Sequence, residues 1–203
     1  EEMQEQGGPA NTYVGELYFS AHRGTYTSMA RNKRSNRKAE LGLMDLELLS
    51  VLAQAQVAYP AEELDRMWKK VLINQFHDIL PGSAIHEVYE VTKEEYAALQ
   101  KEIKALEEER LHALVGDGEG ITIFNTTGHD RSDIVELGEI HAEALKDAEG
   151  VLYPVQKTAE GAVVYVEHLP SKGYKTFAAV SGETEQKTPF VIAVSYTHLR
   201  AHE

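Results

Sequence analysis

Three long stretches with apolar residues at steps of three and four, separated by proline-marked breaks, constrain the fold of this chain more than any other feature. In the first, residues 29–58, Leu41, Met44, Leu48, Val51 and Ala55 are the expected core-facing stripe. Leu43, Leu46, Leu49 and Leu52 widen it, enough for two packing partners. Ser28 is the expected N-cap, and Tyr59-Pro60 ends the helix because a residue before proline avoids helical dihedrals. Pro60 suits the start of a second helix, with Leu64, Trp68, Val71, Leu72 and Gln75 on one face. Pro81-Gly82-Ser83 breaks the chain again. The third helix, 83–115, carries Ile85, Tyr89, Thr92, Tyr96, Leu99, Ile103 and Leu106 as a heptad seam, and Gly116 stops it. The expectation is an antiparallel three-helix bundle.

The pattern changes after Gly116. Short runs at 121–125, 134–137, 151–156, 162–168 and 174–180 read as strands of part of a β-sandwich, making the whole an α+β chain. Residues 1–12 read as a loose lead-in, and 14–19 as a short strand entering a glycine-turned loop. The expected segments are 1–28, 29–116, 117–193 and 194–203. The last resembles translated adaptor sequence, so His198 and His202 are not read as metal ligands.

The 203 residues carry 20 Lys plus Arg against 33 Asp plus Glu, a net charge of −13. Such a surface repels nucleic acid and anionic lipid, and no apolar run approaches a membrane span. The first residues form no secretory leader, and cysteine is absent, which fits a reducing, cytoplasmic compartment.

Two segments carry chemistry. In Asn74-Gln75-Phe76-His77-Asp78-Ile79-Leu80-Pro81-Gly82-Ser83, a His-Asp pair closes an apolar helix. A neutral imidazole can bind a divalent metal, and the carboxylate beside it can orient a ligand. The plainer alternative is a capping or hydrogen-bonded surface pair, and one His cannot make a zinc site by itself. In residues 16–28, Tyr18, His22, Arg23 and Tyr26 combine flat faces with fixed donors, as sugar sites require, although an ordinary loop entering a helix has the same composition. The basic group Arg23, Arg31, Lys33, Arg34, Arg37 and Lys38 puts cations in the first turns of a helix, where they oppose its dipole. Its expected compensation is Glu94, Glu95 or Glu107 to Glu109, or else an anionic substrate or acidic neighbour. Glu87, Glu90, Glu94 and Glu95 read as solvated-face charges.

The stretches 15–18 and 22–28, then 31–37, then 74–83 together resemble glycoside hydrolase family 38, the retaining α-mannosidases, in its bacterial and cytosolic branch. The likeness covers roughly 14–115, with Phe124-Asn125 and 169–174 resembling the start of the family's C-terminal β region. The resemblance implies an internal to C-terminal piece of a larger enzyme: the end of an α/β domain, a three-helix bundle and a β region. It implies one Zn2+, held by His77 and by ligands outside this chain. It places Asp78 on substrate hydroxyls and allows His22, Arg23 and Tyr26 substrate contacts. His22 stands where other branches carry a tryptophan against the sugar. The nucleophile and the acid/base carboxylate, which a retaining glycosidase holds about 5–5.5 Å apart, are expected upstream, leaving the 203 residues inactive alone. The implied partner is an α-mannoside, with no nucleic acid or membrane partner, and a homo-oligomeric parent is left open. Two alternatives stand: a three-helix interaction module with a small β domain, and a parent acting on a phosphorylated mannosyl-glycerate. The central expectation aims the His77 ring from the end of its helix into a cavity completed by other protein; a ring placed against solvent, or packed inside the bundle far from residues 22–26, would end that argument.

Overall fold

The structure, a computed structural model, describes Gly7, Val14 and residues 23–181. The strand expected near 14–19, His22 and the 194–203 tail therefore lie outside the described residues, Val14 apart. Contacts divide the chain into two compact units, Glu1–Leu111 and His112–Glu203. The sequence reading places that division at Gly116.

The first unit contains α1 (Ala30–Leu52), α2 (Ala61–Asn74) and most of α3 (His86–Val115). All three contribute to one apolar core: Ala39, Leu43 and Leu46 from α1, Leu64, Met67 and Val71 from α2, and Tyr96, Leu99 and Ile103 from α3. The early part of α1 meets the end of α2, where Gln75 Nε2 donates to Asn36 Oδ1 at 3.2 Å, and the later part of α1 meets the middle of α2, where Trp68 Nε1 donates to Glu47 Oε1 at 2.6 Å. Arg66 pairs with Glu102, and Asn74 Nδ2 donates to Glu95 at 3.0 Å.

The seam expected on α3 is the buried one from Tyr89 through Ile103; Ile85 precedes the helix and is exposed. On α1 the expected stripe is corrected. Leu41, Met44 and Val51 are exposed, while Leu43, Leu46 and Leu49 face the core with Ala39. Both sets have helical spacing; the small and polar residues on the inner side, Asn32, Asn36 and Ala39, mark which one lies under the other helices. Leu72 on α2 is likewise outward, and Met67 takes the inner position. Two boundaries also move: α1 ends at Leu52 rather than residue 58, and α3 begins at His86 rather than 83. Ser28 does not cap α1. Its hydroxyl turns back to Gly24 O at 2.9 Å, and Met29, at φ 49°, occupies the cap position in left-handed conformation.

In the second unit, the strands are β1 (Gly120–Asn125), β2 (Arg131–Gly138), β3 (Ala144–Lys146), β4 (Leu152–Thr158), β5 (Gly161–Leu169) and β6 (Gly173–Val180). All neighbours are antiparallel, in the order β1-β6-β3-β4-β5-β2. The three-residue β3 has no counterpart in the sequence reading, because it is too short to show alternation. This is one continuous sheet, not the stacked pair of a sandwich. It curls until the outer strands face each other across a groove lined by Ile123 and Phe124 of β1 and Val135 and Glu136 of β2.

Two irregularities between β2 and β5 promote the curl, since bulges bend strands and increase twist. On β5, Ala162, Val164 and Val166 alternate inward; an extra residue at 167–168, with His168 at φ 54°, returns Leu169 to the inside. At the other end Gly138 (φ 64°) meets Gly161, where an added Cβ would lie 2.6 Å from the Gly138 carbonyl oxygen. The core inside the curl contains Ile123, Leu145, Tyr153, Val164, Val166, Leu169 and Phe177, with Tyr153 edge-on to Phe177 at 5.4 Å. Asp147 sits beside it. Burial works against its charge, yet the Val151 N–H, the Tyr153 hydroxyl and Lys175 outweigh that and hold the carboxyl below its usual range.

Candidate functional site

The segment 74–83 divides into an anchored half and a presented half. Asn74, buried at the end of α2, donates to Glu95 and to Lys70 O at 3.2 Å. Gln75 donates to Asn36 and to Glu40 Oε1 at 2.7 Å. Asn36 Oδ1 also accepts from the Tyr96 hydroxyl at 3.1 Å, so the base of the motif is fixed to both other helices. Burial, together with Glu40 and Glu95, pushes the Tyr96 hydroxyl up to about 12, keeping it a proton donor at any ordinary pH.

Beyond Gln75 the chain leaves the helix and turns outward. The Phe76 ring lies 4.1 Å from the His77 ring, and His77 Nε2 lies 3.6 Å from Asp78 Oδ2. The His77 side chain is 76% exposed and that of Asp78 56%. The imidazole is therefore turned to solvent in this chain, against the expectation of a ring aimed into a cavity. Among the described residues, no group of three or more His, Asp or Glu side chains is placed to hold a metal ion.

The backbone under this pair is tightly held. Asp78 O accepts from Ser83 N at 3.2 Å and the Tyr89 hydroxyl at 3.1 Å. Ile79 O accepts from Asn32 Nδ2 at 3.3 Å. Lys33 Nζ donates to Leu80 O at 3.0 Å, to Pro81 O at 3.1 Å and to Ser28 O. Burial pulls the Lys33 ammonium below its usual value. Tyr89 and Asn32 are buried, and Asn32 Oδ1 finds no hydrogen-bond partner among the described residues.

The second candidate segment meets this turn at one point. Residues 24–28 close a single helical turn, with Thr27 and Ser28 N–H groups on Gly24 O. Its last residue lies against Gly82. Arg23 and Tyr26 are exposed on the same loop, Tyr26 at 68%. His22 lies outside the described residues. The structure thus brings loop 24–28 against the backbone of the His77–Asp78 turn.

The basic run is distributed differently from expectation. Arg31, Arg34 and Lys38 are exposed at spacing i, i+3, i+7; Arg37 pairs with Glu40 of its own helix at 3.2 Å; Lys33 serves backbone carbonyls. Among the described residues, three of the acids expected to compensate it pair elsewhere: Glu95 takes Asn74 and Lys70, Glu108 takes Lys104, and Glu109 takes Arg110. Glu87, Glu90 and Glu94 are solvated as read, whereas Glu95 is half-buried.

The sequence reading missed Asn32, Lys33 and Tyr89 as parts of this site. A signal existed. Asn32 and Asn36, one turn apart, fall on the inner side with Ala39 and Leu43, an unusual place for amides unless they hold something.

Residues 20–114 match the family of the alpha mannosidase middle domain. The chain is 39% identical over 143 residues to Alpha-mannosidase 2C1 of Homo sapiens, covering 66% of this chain and 14% of the relative. It is 48% identical over 88 residues to Alpha-mannosidase of Saccharomyces cerevisiae, covering 41% and 8%. A crystal structure of a glycosyl hydrolase family 38 protein from Enterococcus faecalis superposes with a TM-score of 0.65 at 17% identity, over 91% of this chain and 28% of that one. The chain thus spans about one seventh of the length of the curated human relative.

Proposed function

We propose that this chain is part of a glycoside hydrolase family 38 enzyme that hydrolyses α-mannosides, a reading supported by the match of residues 20–114 to the alpha mannosidase middle domain and by the likeness to α-mannosidases. The observation that carries this reading is the anchored 74–83 motif, which lies inside the matched residues and meets loop 24–28. A solvated imidazole and a neighbouring carboxylate, held out from a fixed backbone, suit a surface that forms one wall of a larger site.

The reading includes one zinc ion, with His77 as a ligand. The donors present fit it as a partial set: His77 Nε2 is accessible and Asp78 lies beside it, but one His needs further ligands. Those ligands, the nucleophile and the acid/base carboxylate of a retaining mechanism belong, in this reading, to protein outside the 203 residues. Bound zinc would grip sugar hydroxyls and stabilise developing charge. This chain supplies the His77 imidazole, the Asp78 carboxylate as acceptor for hydroxyls, and loop 22–28 as the sugar-facing wall with His22, Arg23 and Tyr26. The proposal extends to a cytoplasmic location, supported by the likeness of the motifs to the bacterial and cytosolic branch.

Two other readings draw on specific observations. The outward stripe of Leu41, Met44 and Val51 would suit an interaction module. The exposed Arg31, Arg34 and Lys38 would suit a phosphorylated mannosyl-glycerate. Salt-sensitive binding of that anionic sugar, lost on charge reversal at Arg34, would favour the latter.

The direct test is to assay the 203-residue chain on an aryl α-mannoside with added zinc. The expected result is no turnover above a His77→Ala control. Clear turnover above that control would overturn the assignment of the reacting carboxylates to protein outside the chain.

A further inference from the structure

Resting on the proposed α-mannosidase site, we infer that Lys33 is a positioning residue that locks the substrate-side loop 23–28 onto the His77–Asp78 turn. The inference comes from what one ammonium group touches. Lys33 Nζ donates to Ser28 O, the last carbonyl of the loop, and to Leu80 O and Pro81 O, two successive carbonyls of the turn. An ammonium has three donors, and these three acceptors use them all.

The neighbouring side chains that hold the turn do a different job from Lys33. Tyr89 holds Asp78 O and Ile79 O and also accepts from Ala84 N at 3.0 Å, and Asn32 holds Ile79 O; neither reaches the loop. Direct packing supports the same junction, because Gly82 approaches Ser28 too closely for a side chain. Lys33 also stands apart from its basic neighbours: Arg31, Arg34 and Lys38 point to solvent, while Lys33 is half-buried. Its charge is spent on carbonyl dipoles, leaving the exposed cations free for other roles.

The consequence is specific. Removing the ammonium frees Ser28 O, Leu80 O and Pro81 O together, so the turn that carries His77 and the loop that carries Tyr26 are no longer joined through this group. The helical core, built from Leu43, Met67, Tyr96 and their neighbours, is not involved.

The test compares wild type, Lys33→Met and Lys33→Arg in the 203-residue chain by NMR. It follows amide exchange at Gly82 and Ser83, whose N–H groups bond Ile79 O and Asp78 O, and the ring resonances of Tyr26 and His77. Lys33→Met should speed exchange at Gly82 and Ser83 at least tenfold and shift both rings together, with Met67 to Val71 unchanged. Lys33→Arg, which keeps charge and donors, should restore most of the wild-type pattern. If Lys33→Met fails to fold, Lys33→Gln provides the same readout with a shorter neutral donor. Unchanged turn amides in a folded variant, or a shift of only one ring, would overturn the inference. The readout needs neither metal nor substrate, so a failure of the α-mannosidase reading in its own assay leaves this result to stand or fall by itself.

Discussion

Gly82 and Ser28, 54 positions apart in sequence, approach so closely that a methyl group on Gly82 would lie 2.7 Å from Ser28 Cβ and 3.1 Å from its carbonyl carbon. Gly82 also sits at φ +95°, where a side chain is strained whatever the space. This contact is where the two candidate segments of the chain meet, and glycine is what permits it.

Gly82→Ala should therefore destabilise the first unit by about 1–3 kcal/mol, through backbone strain and the clash with Ser28. Chemical denaturation measures this. A change below about 0.5 kcal/mol would mean that the two segments separate at little cost.

A pair of alanine substitutions on α1 tests which face is buried. Leu43, fully buried, should cost about 2–5 kcal/mol on truncation, as large-to-small core changes do. Leu41, 45% exposed, should cost no more than about 0.5 kcal/mol. Equal costs measured by urea unfolding would contradict the assigned orientation of α1.

The sequence showed the elements better than it showed which way they face. All three helices and five of the six strands announce themselves through periodicity and punctuation. Leu41, Met44, Leu48 and Val51 repeat at helical steps, and so do Ala39, Leu43, Leu46 and Leu49, so periodicity alone offers two faces of one helix. The buried one is identified by long-range partners: Ile103 against Gly42, and Tyr96 and Gln75 on Asn36. The curl of the sheet depends on the bulges at His168 and Gly138, which are tertiary features with no periodic signal.

In the candidate segment 74–83, the presented residues were legible in the sequence and their supports were hidden. His77 and Asp78 stand out as titratable neighbours at a helix end. Lys33 looked like one more member of a basic run, because the chain alone does not disclose that its partners are the carbonyls of Leu80 and Pro81, 47 and 48 residues away.

Glu107 provides a pH test of the first unit. Burial, with Asp45 and Glu108 nearby, pushes its carboxyl up to about 7 from an ordinary 4.5. The folded state then binds more protons than the unfolded one between those values, so stability should fall as pH rises from about 4.5 through 7 and level off above. Glu107→Gln should remove this slope and stabilise the chain at pH 8 by on the order of 1–2 kcal/mol, allowing for partial solvent screening. Urea titrations at pH 5 and pH 8 compare the two proteins. An unaltered slope in the variant would show that another group is responsible.

The most direct measurement transplants residues 20–114 into human Alpha-mannosidase 2C1 in place of its matched segment. Zinc content and aryl α-mannoside turnover of the chimera are then compared with and without His77→Ala. The expected result is a chimera that holds zinc and hydrolyses the substrate, with both properties lost on removal of this one imidazole. A His77→Ala chimera that keeps its zinc and its turnover would contradict the assignment of the helix-end His-Asp turn to the reacting centre.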